Sequence, residues 1–402
     1  MPNMRMPNRD VLVLAAGQAL TSTVVSLLTS VSSLSGAYLA PSPALSTVPV
    51  TASVLGTLVM IYPASALMGR LGRRGGFTFK AGVGVLGGAV CALALIAASF
   101  LLLIAGTFLL GVFSAFGQYY RFAAIDAARG PDERTSAIAI VTGGGVVGGV
   151  AGPFLAGHFG SVAAVPYVGA FIALSLVCAA LAASQVLLSA NLGRDARDGT
   201  AQPASQNFSL NSGFLRASAI CAIGFAVMTL TMNAAPLSLQ ICGYSLPISS
   251  TVLQVHFALM YLPSLFNPLM VSLFGLRGLV ALGAVASGVG CVLTILPDQT
   301  LPLYIAELGL SGVGWNFLFN GGTLMLTSTY PAARKTKAQG LNSLFVYGAN
   351  LAASFSAGAL MASYGWSVVN IVCLPLLALA LLALWSRQMP QPTMSPGAAE
   401  RR

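Results

Sequence analysis

Gly69-Arg70-Leu71-Gly72-Arg73-Arg74-Gly75-Gly76 is a short basic break between two long apolar runs. Charge is scarce in the rest of the chain: charged residues are 7% of the 402 and hydrophobic residues 56%, with a mean hydropathy of +0.84. That balance belongs to a polytopic membrane protein rather than to a soluble domain. Working outward from the break, apolar windows long enough to cross a bilayer begin near Val11, Ser46, Lys80, Phe100, Thr135, Val162, Phe214, Ser250, Gly278, Leu301, Gln339 and Trp366. They predict twelve transmembrane helices. Every Lys and Arg falls at the N-terminus, after an even-numbered span, or in the C-terminal tail. The positive-inside rule therefore places both termini in the cytoplasm. The net charge of +10 is explained by this topology, so no nucleic-acid partner is expected.

The segment 191–216, with Arg194, Asp195, Arg197 and Asp198, is the longest hydrophilic stretch. It predicts a cytoplasmic linker over 191–213 between two six-helix bundles at 11–190 and 214–387, with a short N-terminus at 1–10 and a disordered tail at 388–402. Met60-Ile61-Tyr62-Pro63 recurs as Met260-Tyr261-Leu262-Pro263, and Leu67-Met68 recurs as Leu269-Met270. Such repeats are expected of two related halves. Arg5 and Arg9 precede an apolar run of more than 20 residues from Val11, which is too long for a cleaved signal peptide and reads as an uncleaved first span. The six cysteines show no Cys-x-x-Cys spacing, so neither a disulfide framework nor a zinc site is indicated.

Two patterns on consecutive spans carry chemistry: Met228-Thr229-Leu230-Thr231-Met232, and His256-Phe257-Ala258-Leu259-Met260. The i,i+4 spacing puts each pair on one helix face. Two such helices side by side would offer three thioethers and one imidazole, a neutral soft set suited to Cu(I) and unsuited to magnesium or calcium. Cys221, two turns before Met228, Cys242 in the following loop, and Met60, the repeat mate of Met260, are candidate relay groups. Ionisable residues at membrane depth form a second set, because each is costly unless paired or hydrated. Glu307 reads either as a proton-coupling carboxyl or as a hydrated group near the periplasmic end of its span. Arg121 and Asp126 read first as a structural ion-pair network with the 2/3 and 10/11 loops, and otherwise as coupling or gating groups. His158 reads first as a surface histidine and otherwise as a metal attractor.

Three features resemble the major facilitator superfamily. The 69–76 loop is similar to the signature G-x-L-A-D-R-x-G, except that Arg73 stands at the aspartate position. Gly148-x-x-x-Gly152-Pro153-Phe154-Leu155-Ala156-Gly157 resembles the Gly-Pro element of antiporters. Gly117-Gln118-Tyr119-Tyr120-Arg121 and Gly314-Trp315-Asn316-Phe317, with the Met and His patterns, resemble CcoA-type bacterial copper importers. This resemblance implies a secondary transporter of the bacterial inner membrane that carries copper as its substrate. Met228, Met232, His256 and Met260 would ligate the ion, and a cytosolic acceptor would supply cytochrome oxidase assembly. The alternative is an organic solute or drug antiporter of the same fold, favoured by the Gly-Pro element and by Tyr119, Tyr120, Trp315 and Phe317. No nucleophile, base and orienter constellation and no phosphate or dinucleotide loop is found, so neither an enzyme nor an enzymatic cofactor is indicated.

Overall fold

A computed structural model describes residues 8–128, 131–190, 192, 210–296, 299–331 and 334–385. The expected linker over 191–213 and the tail over 388–402 fall largely or wholly outside these residues, as does Asp298. The chain is all helical in the described part: α1 Arg9–Leu39, α2 Val48–Ile96, α3 Phe100–Ala115, α4 Tyr120–Ala127, α5 Pro131–Phe159, α6 Val168–Val186, α7 Ser212–Ile241, α8 Leu246–Tyr261, α9 Asn267–Leu293, α10 Leu301–Thr327, α11 Lys335–Ile371 and α12 Cys373–Trp385. Among the described residues, nine helical stretches are long and apolar enough to cross a membrane.

Local chemistry sets the helix starts. Ser99 accepts a hydrogen bond from the Leu102 amide (3.3 Å), and Asn211 from the Phe214 amide (2.7 Å), each satisfying an amide that the first turn leaves open. Prolines occupy the first turn of α2, α8, α9 and α10, where a missing N–H costs nothing. Three helices turn sharply at a glycine. Gly72 has φ 74° and ψ 175°, Gly275 φ 69° and ψ 170°, and Gly365 φ 76° and ψ −177°, a region open only to a residue without Cβ. Gly72 follows Leu67-Met68 and Gly275 follows Leu269-Met270, so the repeat in sequence carries the same backbone turn.

Small residues govern how closely the helices meet. Gly144, Gly148 and Gly152 lie four apart on α5, and a Cβ on any of them would strike the α1 backbone at Ala15, Ala19 or Thr23. Ser26 Oγ donates to the Gly148 carbonyl (2.9 Å) across this seam. Another face of α5, at Gly149 and Gly157, with Gly160 just past its end, meets α8. Helix α7 packs along α11 and α10, and α2 along α11. Thr51 Oγ1 and Ser354 Oγ share a hydrogen bond (3.1 Å), and the Gly358 amide donates to Thr47 Oγ1 (3.0 Å). These bonds join the start of α2 to the far part of α11.

Lys80, counted in sequence with the basic 2/3 loop, lies elsewhere. It is fully buried, its ammonium donating to Thr21 Oγ1 (2.7 Å) and sitting 4.5 Å from the ring centres of both Phe113 and Tyr120. An aromatic cage takes the place of the water that a loop lysine would have. Phe77 stacks on Tyr120 at 4.1 Å and closes one side.

Candidate functional site

The tandem Met and His patterns converge only in part. Met228 and Met232 of α7 and Met260 of α8 share one buried cluster with Leu253, Phe257 and Trp315. Phe225, Tyr261 and Phe319 pack against it. The i,i+4 spacing delivers this on α7, because both methionines face α8 and α10. His256 is fully buried and turns toward α10: its Nδ1–H donates to the Leu308 carbonyl (2.7 Å). That bond fixes the tautomer and leaves Nε2 a bare acceptor, which has no partner in its buried position.

Aromatic rings dominate the same region. Trp315 stacks on Phe319 (5.3 Å, 14° between planes), and Phe225 stands edge-on to both, at 5.2 Å and 4.9 Å. Tyr261 adds a further edge at 6.4 Å from Trp315. The Trp315 indole N–H is buried without an acceptor, a loss of about 1–3 kcal/mol that an entering acceptor would recover. Asn316 is held away from the cluster by bonds to the Met260 carbonyl (2.7 Å) and Ser264 Oγ (2.6 Å). Sequence reading put Trp315 among the interior aromatics, but it did not join the ring to the methionines. The only available signal was that its span carries the Gly314-Trp315-Asn316 pattern.

The remaining candidates separate. Met60 packs in a different cluster, with Met68, Ala64 and Phe77, so it does not join Met260. Cys221 is buried with its Sγ 3.8 Å from both the Phe319 carbonyl and Thr323 Oγ1; it fills the α7–α10 contact. Cys242 is exposed just past α7, 3.5 Å from the Tyr304 hydroxyl. Glu307 is 1% exposed, which excludes the hydrated position at the helix end. Trp366 and Asn370 are its polar neighbours, though neither meets a carboxyl oxygen in full hydrogen-bond geometry.

Of the ion-pair network expected between Arg121, Asp126 and the 2/3 and 10/11 loops, the bridge from Asp126 to Arg73 of the 2/3 loop is present, and Arg121 stands outside it. Asp126 pairs with Arg73 (2.9 Å), while Arg121 donates to Gln118 Oε1 (3.3 Å). Five residues of helix put the two side chains on different faces. Phe317 faces Gly283 of α9, Tyr119 donates to the Ile61 carbonyl (3.2 Å), and Tyr120 belongs to the Lys80 cage. His158 is exposed and stacks against Phe154. Among the described residues, no group of three or more His, Cys, Asp or Glu side chains is arranged to hold a metal ion.

The family model of the Major Facilitator Superfamily matches residues 14–265 and 219–402. A riboflavin transporter, RfnT, from Brucella anthropi is 32% identical over 389 residues, covering 95% of this chain and 96% of that protein. An uncharacterised MFS-type transporter, YddS, from Bacillus subtilis is 27% identical over 342 residues, covering 81% and 78%. Among solved structures, a D-xylose-proton symporter superposes with a TM-score of 0.75 at 14% identity, covering 95% of this chain and 97% of that one; at this identity it shows the fold alone. The chain is thus a multi-pass protein of the bacterial inner membrane. The copper-importer subtype finds no support in these relatives.

Proposed function

We propose, from the premise that this chain belongs to the Major Facilitator Superfamily of secondary transporters, that its cargo is a planar aromatic heterocycle of the flavin class. The observation that carries this reading is the ring cluster of Trp315, Phe225, Phe319 and Tyr261 around an indole N–H with no acceptor. Flat rings stack on such walls, and a heterocycle brings the missing acceptor. The riboflavin transporter of Brucella anthropi, similar over nearly its whole length, supports the same class. In this reading the chain has twelve spans in two six-helix halves with both termini cytoplasmic, and it moves its cargo inward by alternating access. The direct experiment is riboflavin uptake into cells that can neither make nor import it. Uptake by the intact protein that falls at least about tenfold in Trp315→Ala supports the proposal; no uptake by the intact protein rejects it.

A second reading keeps copper as the cargo, favoured by one observation: Met260, which clusters with Met228 and Met232, lies one helical turn from a histidine whose Nδ1 is anchored and whose Nε2 has no partner. A ligating imidazole is commonly oriented in this way by a carbonyl behind it. Radioactive copper uptake abolished by His256→Ala and Met232→Ala would select this reading. Riboflavin uptake unaffected by the same substitutions would select the first.

A further inference from the structure

Arg121 lies inside a membrane-crossing stretch, Phe100–Ala127, and among the described residues no acidic side chain pairs with it. The nearby carboxylate, Asp126, is engaged by Arg73. Arg121 is exposed as a whole residue while its charged end is largely enclosed; the guanidinium donates to Gln118 Oε1 (3.3 Å) and rests 5.5 Å from the Phe122 ring centre. A cation at this depth is expensive unless something balances it. Gln118, also exposed, points its Nε2 across to the Tyr347 hydroxyl of α11 at 3.5 Å, a bond at the limit of useful length. The Tyr347 ring in turn stands 6.4 Å from Phe225, the edge ring of the Trp315 cluster.

These contacts form one path from the unbalanced cation on α4, through Gln118 and Tyr347, to the aromatic walls on α7 and α10. The two ends differ in chemistry: fork-shaped N–H donors at one, flat apolar faces at the other. We infer that Arg121 and Gln118 form the polar head of the transport site and read the carbonyl-bearing edge of a planar ring stacked against Phe225 and Trp315. This inference rests on the flavin-class reading above and names the residues that would select within that class. A guanidinium presents two parallel donors to adjacent acceptors, which a carbonyl beside an unprotonated ring nitrogen supplies and a plain aromatic does not. The long Gln118–Tyr347 bond is the contact that an entering ring edge would replace.

The test is equilibrium binding to the full-length protein in detergent, using two three-ring probes of similar area. Lumichrome carries two carbonyls flanking a ring N–H; phenazine carries none. The intact protein is expected to bind lumichrome at least about tenfold more tightly than phenazine, the size of one charge-assisted hydrogen bond. Arg121→Gln should erase that preference by weakening lumichrome alone, and Arg121→Lys should fall between, since a point charge keeps the attraction and loses the fork. Unchanged lumichrome binding in Arg121→Gln overturns the inference and leaves the flavin reading standing. An equal loss for both probes also overturns it, assigning Arg121 to the fold. If the intact protein binds neither ring, the flavin reading itself fails and the inference falls with it.

Discussion

Arg73 Nε donates to Asp126 Oδ2 at 2.9 Å, with the two side chains 21% and 20% exposed. The pair fastens the turn after Gly72 to the end of α4. In the loop signature that this chain resembles, position 73 is acidic; here it is basic and its partner is the acid. The arginine at this position is thus paired within this chain. The expected outcome is that Arg73→Asp and Asp126→Arg each reduce transport, whereas the double exchange restores much of it, with a coupling of about 1 kcal/mol in a double-mutant cycle. Additive losses in the double variant would mean that the contact does not hold the joint.

Lys80 provides a stability prediction of unusual sign. Its ammonium is surrounded by Phe113, Tyr120 and Thr21, with no carboxylate among the described residues paired to it, so ring faces and one hydroxyl must offset the cost of removing it from water. Replacing a buried charge by an apolar side chain of similar length is often neutral or stabilising. Lys80→Met is therefore expected to melt in detergent at or above the intact protein's temperature. Lys80→Ala should melt well below it, because it empties the cage. A large drop for Lys80→Met would show that the cation itself holds α1 to the cage.

Much of the fold was legible because bilayer length and basic loops are one-dimensional signals. The i,i+4 methionines were legible for a similar reason, since one helix fixes both. What escaped was partnership between helices. Lys80 follows Arg70, Arg73 and Arg74 and so reads as a loop charge, and only the fold carries it back under Tyr120. For Asp126 the 2/3 loop was legible as the partner, but its three arginines left open that Arg73 makes the bond. His256 and Met260 share a face by spacing, but the Leu308 carbonyl on α10 claims the ring. Trp315 could be named, yet its stacking on Phe319 and its approach to Met228 depend on how α10 rolls against α7.

The seam between α1 and α5 gives a packing prediction. A Cβ at Gly148 would strike the Ala19 carbonyl and Thr23, and one at Gly152 would strike Ser26 and the Thr23 carbonyl. Membrane helices approach closely only through such small residues. Gly148→Leu and Gly152→Leu are expected to abolish folded protein in the membrane, seen as lost monodispersity on size-exclusion chromatography. Gly143→Leu should be tolerated, because nothing lies within 4 Å of its Cβ position. Equal behaviour of the three variants would reject the seam.

Glu307 bears on the driving force. It is buried on α10, beside Trp366 and Asn370 and close to Cys291, and no cation among the described residues neutralises it. Intramembrane carboxyls of this kind are retained for ion movement more often than for packing. An isosteric amide keeps the volume and removes the exchangeable proton, so the variant separates the two roles. Glu307→Gln is expected to retain exchange of labelled substrate between equal concentrations in vesicles while losing most accumulation driven by an imposed pH gradient. If accumulation survives, the carboxyl is not a proton carrier and the gradient must act elsewhere. If exchange is lost as well, Glu307 belongs to the packing of α10 against Trp366 and Asn370 at the end of α11.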